Sequence, residues 1–200
     1  MYKGITKPII FCLFLSLSFF CCEKPSDEID KGVLINGVKW ATRNVDAPGK
    51  FAANPEDAGM FYQWNRKTGW STTDPLVNHE GGTTWDSSIP EGGSWEKAND
   101  PCPTGWRIPT LEEQQSLFFD REWATLNGVN GCYFGSGKQR VFFPAAGARA
   151  RFDSIGTLYD VGIYGNYWNT EKWYMYFKSN DGCWNPYPYN SGVSVRCVAK

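Results

Sequence analysis

The chain has 200 residues, with 20 Lys and Arg against 21 Asp and Glu and a single His. That near balance, with no basic stripe, gives no support for a nucleic-acid partner. Ten Trp, 21 Gly and 12 Pro point to a loop-rich fold and away from a helical bundle.

Lys3 and Lys7 flank the start of an apolar run, IIFCLFLSLSFF (Ile9–Phe20). The run is too short to span a bilayer and fits the core of a signal peptide. Cys21 and Cys22 follow, then the polar, acidic stretch EKPSDEID. An apolar run ending in Cys before a polar linker is how a bacterial lipoprotein signal looks. Residues 1–21 are read as the leader and residues 22–31 as a polar tether. Cys22 is the expected lipidated residue, since the small Cys21 precedes it; Cys21 is the alternative, because Phe19 and Phe20 are bulky where small residues are usual. Acyl chains would hold the protein to a membrane, which predicts a place in the cell envelope, anchored in the outer membrane. An ordinary cleaved signal without lipid is the other reading, and it also exports the chain. Without Lys3 and Lys7 the mature chain keeps 18 basic and 21 acidic side chains, a net charge of −3.

Residues 32–200 suit one domain with a proper core. Val33, Leu34 and Ile35 precede the turn pair Asn36-Gly37, and Val38 and Trp40 follow in alternation, which predicts a hairpin. Ala47–Gly59 reads as loop and Met60–Trp70 as a strand. Residues 71–93 form a long loop. Ser94 is expected to cap a short helix over Trp95–Asn99. Thr110 and Glu113 form a T-x-x-E capping box for a second helix, with Leu111, Leu117 and Phe118 on its buried stripe. RVFFPAAGAR (Arg140–Arg149) predicts a strand ending at Pro144. GVSVRCVAK (Gly192–Lys200) predicts a closing strand, with Val193, Val195 and Cys197 on one side. Four cysteines lie beyond the leader, Cys102, Cys132, Cys183 and Cys197. An even number in an exported chain suggests disulfides, with three connectivities open.

WEKANDPCPTGWRIPTLEEQQSL (Trp95–Leu117) resembles the start of a C-type lectin-like domain, and SVRCVAK resembles its end. Six segments in order, INGVKWATRNV, DAGMFYQWNR, CPTGWRIPT, FPAAGAR, VGIYGNYWNT and SVRCVAK, resemble the Fibrobacter succinogenes major paralogous domain family of exported bacterial proteins. The resemblance implies an α+β class with a C-type lectin-like fold: two short helices, small antiparallel sheets and long ordered loops. It also implies a Cys102–Cys197 bond, with a nested Cys132–Cys183 bond as the candidate second. The C-terminal part is further similar to variable proteins of diversity-generating retroelements. In those proteins ligand-contacting positions are rewritten at adenine-containing codons.

Eleven aromatic residues fall between Tyr159 and Asn190, together with five Asn, while Val161 and Ile163 are the only branched aliphatics there. Binding surfaces favour rings for area at low entropy cost and amides for adaptable hydrogen bonds. Tyr164, Trp173, Tyr174, Trp184, Tyr187 and Tyr189 are the expected ligand-contacting rings. Asn169, Asn185 and Asn190 are the amides beside them, and Arg151 and Asp153 sit at the rim. The resemblance assigns Tyr167, Trp168 and Phe177 to the core, and Arg149, in the AAGAR motif, to a structural pair.

Catalysis has little support. His79, in VNHEGG, reads as a solvated side chain, so neither a Ser–His nor a Cys–His dyad has a base. No zinc ligand cluster is present, and Glu112 and Glu113 are explained by capping and the helix dipole. Formylglycine-generating enzymes share the lectin-like fold and use cysteines, but the family pattern gives Cys102 and Cys197 to a structural bond. Calcium-type sugar triplets are absent, since WNT at Trp168 and WNP at Trp184 lack the Asp; structural calcium elsewhere stays open. The sequence therefore predicts a non-enzymatic binding protein without metal or cofactor. Its ligand would be a protein or glycan on a cell, phage or host surface. The alternative is a structural or adhesion component of an envelope assembly.

Overall fold

A computed structural model describes Met1 and residues 29–90, 92–150, 152–186 and 190–200. The leader, the lipidation candidates Cys21 and Cys22, most of the tether, and Arg151, Tyr187 and Tyr189 lie outside the described residues.

The chain opens with the expected hairpin, β1 (Val33–Ile35) and β2 (Val38–Trp40). Asn36 and Gly37 both take positive φ, 50° and 83°, the turn whose twist matches that of the strands. Ile35 and Trp40 are thereby buried while Leu34 stays exposed. The strand predicted over Met60–Trp70 instead folds back on itself. β3 (Met60–Gln63) turns at Asn65, which is left-handed at φ 54°, and pairs antiparallel with β4 (Gly69–Ser71).

The helix expected over Trp95–Asn99 reduces to one 3-10 turn, Lys97–Asn99, with no side-chain cap. Gly92 and Gly93 before it and Pro101 after it leave no room for a longer helix. After β5 (Trp106–Arg107) comes α1 (Leu111–Leu117), started by the expected reciprocal cap. Glu113 N–H donates to Thr110 Oγ1 at 3.2 Å and Thr110 N–H to Glu113 Oε2 at 2.8 Å. The helix buries Gln114 and Leu117, with Leu111 and Phe118 only half-buried.

Strands then follow to the end: β6 (Arg121–Leu126), β7 (Val129–Ser136), β8 (Gln139–Pro144), β9 (Ala148–Arg149), β10 (Leu158–Tyr159), β11 (Gly165–Trp168), β12 (Trp173–Lys178), β13 (Asp181–Pro186), β14 (Gly192–Ser194) and β15 (Val198–Ala199). Among the described residues there are thus 15 strands and one α-helix. This corrects the expected α+β, C-type lectin-like architecture with two helices: the chain is mostly β. The reason is local. One helix is too hemmed in by Gly and Pro to form, and the stretch after α1 becomes a three-stranded antiparallel meander, β6-β7-β8.

The other two sheets are a four-stranded one, β1-β2-β15-β5, and an eight-stranded one built on β10-β9-β14-β11-β12-β13, which β3 and β4 join through β14. The segment predicted as one closing strand serves both. β14 pairs with β3, β9 and β11, and β15 pairs with β2 and β5. Between them the backbone carbonyls of Val195 and Cys197 accept from the N–H groups of Val45 and Ala41. Every residue from Ser191 to Val198 is buried, so the alternation in the sequence does not mark a wet face here.

Two of the core clusters meet at this thread. One sets Trp64, Trp95 and Trp168 edge to face, with Trp168 Nε1–H donating to Tyr62 O at 2.7 Å. The other joins Phe134, Phe143, Tyr167 and Phe177 at ring separations of 4.9–5.9 Å. Gly165 is required where β11 crosses Phe177, because a Cβ there would lie 2.1 Å from the ring. Tyr167, Trp168 and Phe177 are fully buried, as their assignment to the core expects. Arg149 is buried as well and donates to backbone carbonyls of Ser71, Thr73 and Gly156 and to Asp74 Oδ1.

Cys102 and Cys197 are disulfide-bonded across a sequence separation of 95. Cys132 and Cys183 are both free thiols, which corrects the nested pair. Cys132 sits in the core cluster of Phe134 and Phe177, while Cys183 is exposed on the far face of β13. Burial pushes the Cys132 thiol up to about 12. A maleimide should therefore modify Cys183 in the native protein and spare Cys132 until the chain is unfolded. Peptide mass mapping reads this directly, and equal labelling of the two would contradict the burial.

Candidate functional site

Strands alternate their side chains between two faces, and β12 does so without a break. Met175 and Phe177 enter the core; Tyr174, Tyr176 and Lys178 point to the other side, where β11 and β13 extend them into rungs. Trp168, Tyr174 and Asn185 form one rung, and Asn166, Tyr176 and Cys183 the next. Lys178 and Asp181 form the last, with Nζ to Oδ2 at 3.8 Å. Tyr164, just before β11, closes that end, with its ring 6.2 Å from Tyr176 and the Lys178 Nζ 5.5 Å from its centroid.

All of these except Trp168 and Cys183 line a cleft of about 270 Å³. Its walls are phenols, amides and one ion pair. Desolvation, with Asp181 and Cys183 nearby, raises the Tyr176 pKa, so its hydroxyl remains a donor at neutral pH. The hydrogen bond with Tyr164 raises that of Lys178, keeping it cationic. Asn166 is held rigid, its Nδ2 donating to Gly147 O at 3.0 Å. Below the cleft, Asn169 Nδ2 donates to Gln114 Oε1 at 3.0 Å and Gln114 Nε2 to Trp168 O at 2.9 Å, pinning the end of β11 to α1. Such a surface can hydrogen-bond and stack.

Of the residues the sequence singled out, Tyr164, Tyr174 and Asn185 come together in this cleft. Tyr174 contributes only an edge, since it is 4% exposed and packs against Trp168. Asn169 is fully buried and is scaffold instead of contact. Trp184 is half-buried on the opposite face of β13, 4.6 Å from the Phe118 ring, and Trp173 is 38% exposed at the start of β12, on that same opposite side. Asn190 uses its backbone carbonyl to accept from Gln63 Nε2 at 2.9 Å.

Asp153 organises its own turn. Desolvation opposes its ionisation, but bonds from Thr157, Tyr159 and the Ile155 N–H outweigh it and bring the carboxyl down to about 2. Its Oδ2 accepts from Tyr159 O–H at 2.7 Å. The loop so fixed displays Phe152, Ile155, Val161 and Ile163, each more than half exposed, and runs into Tyr164 at the cleft.

Asn166, Tyr176, Lys178 and Asp181 were not singled out from sequence. The period-2 spacing of Tyr174, Tyr176 and Lys178 carries that signal, but it is masked by the apolar residues interleaved with it.

His79 is less solvated than its sequence context suggests: its Nδ1 accepts from Gly69 N–H at 3.2 Å. Among the described residues no three His, Cys, Asp or Glu side chains converge in a group able to hold a metal, and no helix is long and apolar enough to cross a membrane. Comparison with family models, with curated proteins and with solved structures gives no match.

Proposed function

We propose that this chain is a non-enzymatic binding protein whose ligand, a protein or glycan on a cell, phage or host surface, seats on the cleft face of β11, β12 and β13. The observation that carries the reading is the division of one hairpin between two tasks. Its inner face is packed rings, and its outer face offers phenols, amides and a lysine that no core demands. The exposed apolar side chains Phe152, Ile155, Val161 and Ile163, on the chain leading into Tyr164, favour a protein partner, since exposed apolar surface beside a polar cleft suits a protein contact. The leader and Cys22 support presentation from the outer membrane on a lipid anchor. The resemblance to retroelement variable proteins supports a diversified site.

The triple variant Tyr164→Ser/Tyr176→Ser/Asn185→Ala tests this. Peptides selected from a displayed library against the wild type should lose about tenfold or more in affinity. The melting temperature should fall by only about 2–4 °C. Trp173→Ala, on the other face, should keep the affinity. Undiminished binding by the triple variant would sink the assignment.

A further inference from the structure

The eight-stranded sheet ends on β13, which pairs with β12 on one side and with no strand on the other. The ladder fixes which backbone groups that open edge presents. Asn169 N–H donates to Trp173 O, so the peptide groups of Trp173, Met175 and Phe177 turn toward β11, and those of Tyr174, Tyr176 and Lys178 turn toward β13. Tyr174, Tyr176 and Lys178 face Asn185, Cys183 and Asp181, which therefore form the hydrogen-bonded pairs. Gly182, Trp184 and Pro186 are left to point their backbone groups away from the sheet.

Gly182 N–H is taken by Asp181 Oδ1 at 2.7 Å. The carbonyls of Gly182, Trp184 and Pro186 and the N–H of Trp184 remain. Among the described residues none of the four has a backbone partner, and the Cys183 thiol only grazes Trp184 O at 3.6 Å. An unpaired edge of this kind is a template for another chain, and proteins commonly guard it with charge. The outer strand of the meander, β6, carries Arg121 and Glu122, both exposed. The middle of β13, Gly182 to Asn185, carries no charge, and Cys183 and Asn185 in it are exposed.

We propose that β13 is extended by a strand from a protein partner, so that the ligand of the tyrosine face is an extended polypeptide segment. This rests on reading that face as the ligand surface. Carbonyls two residues apart along the edge ask for an N–H from every second residue of the incoming chain, and the Trp184 N–H asks for one carbonyl opposite it. A polypeptide in extended form supplies both at that spacing, and main-chain bonds of this kind give strand addition its affinity. The side chains of the added strand alternate between the two faces of the sheet. Those level with Cys183 and Asn185 enter beside the tyrosine cleft, and those level with Trp184 meet its half-buried ring, 4.6 Å from Phe118. The occupant is therefore a segment with hydrogen-bonding residues at one set of alternate positions and apolar residues at the other.

The probes are linear peptides selected from a displayed library against the full wild-type chain and weakened by Tyr164→Ser/Tyr176→Ser/Asn185→Ala. Each backbone N–H of such a peptide is methylated in turn. Methylation should cost about tenfold or more in affinity at alternate positions and little at those between. On the protein, Trp184→Pro removes the one outward N–H left unheld, and proline is tolerated in an edge strand where that group faces solvent. This variant should bind about tenfold more weakly than Trp184→Val, which loses the same ring but keeps the N–H. If Trp184→Pro fails to fold, the methylation series decides. Peptides that depend on the tyrosine cleft but tolerate methylation at every position would overturn the added strand and leave the ligand surface standing. The absence of any cleft-dependent peptide would remove both. A wild-type chain that sediments as a dimer, dissociated by Trp184→Pro, would give the edge to a second copy and overturn its assignment to a partner.

Discussion

The double variant Cys102→Ala/Cys197→Ala should lose about 4–5 kcal/mol of unfolding free energy. Cross-linking residues 95 positions apart removes loop-closure entropy from the unfolded chain, and that gain grows with the logarithm of the separation. The bond's location adds to the effect. Cys197 is fully buried on the thread between the two sheets, and Cys102 follows the 3-10 turn that brings Trp95 against Trp64 and Trp168. Loss of the bond frees the segment that closes the tryptophan cluster. In a domain of this size a melting temperature lowered by roughly 10–15 °C would accompany the change. A loss under about 1 kcal/mol in urea titration would mean that the unfolded state is already constrained elsewhere.

Arg196→Met should cost about 3–5 kcal/mol. The guanidinium is fully buried and donates to Asn44 Oδ1 at 2.9 Å, Ala41 O at 3.1 Å and Phe142 O at 2.9 Å, with its centre 4.3 Å from the Phe143 ring centroid. Those acceptors come from two separate parts of the fold, the stretch directly after β2 and strand β8. Desolvation pulls the Arg196 pKa down to about 10, yet the group stays charged at neutral pH. Met keeps much of the stem volume, so the measured loss isolates the three abandoned acceptors. Arg140→Met is the contrast. That side chain is 42% exposed, and its 3.4 Å pair with Glu122 lies at the surface, so less than about 0.5 kcal/mol should be lost. Equal effects in the two variants would refute the role given to Arg196.

What the sequence reveals of this fold follows how local each determinant is. The Asn36-Gly37 hairpin and the Thr110/Glu113 cap are specified by residues within a few positions, and both form as read. Tyr167, Trp168 and Phe177, assigned to the core by resemblance alone, are fully buried. The return of β3 onto β4 depends on one left-handed Asn, and the pairing of β6 with β7 on a turn whose Asn127 and Gly128 both take positive φ. Asn127-Gly128 is the same kind of turn signal as Asn36-Gly37, but the strands beside it carry Glu122, Asn130 and Gly131 in place of a clear alternation. The burial of Tyr174 and Asn169 was not legible at all. It depends on α1 and on Trp168, which reach them only through tertiary packing. Of the residues singled out from sequence, Tyr164, Tyr174 and Asn185 line the cleft, while Trp173 and Trp184 project from the opposite face of their strands.

The fully buried thread from Ser191 to Val198 also sets the order of events in folding. The large sheet needs β14 between β9 and β11, and the small sheet needs β15 between β2 and β5. Neither can close on a growing polypeptide until nearly the whole domain has been synthesised. Contacts of such long sequence separation slow the search for the native state. A nascent chain of this protein thus stays open late, its two sheets waiting on the same eight residues.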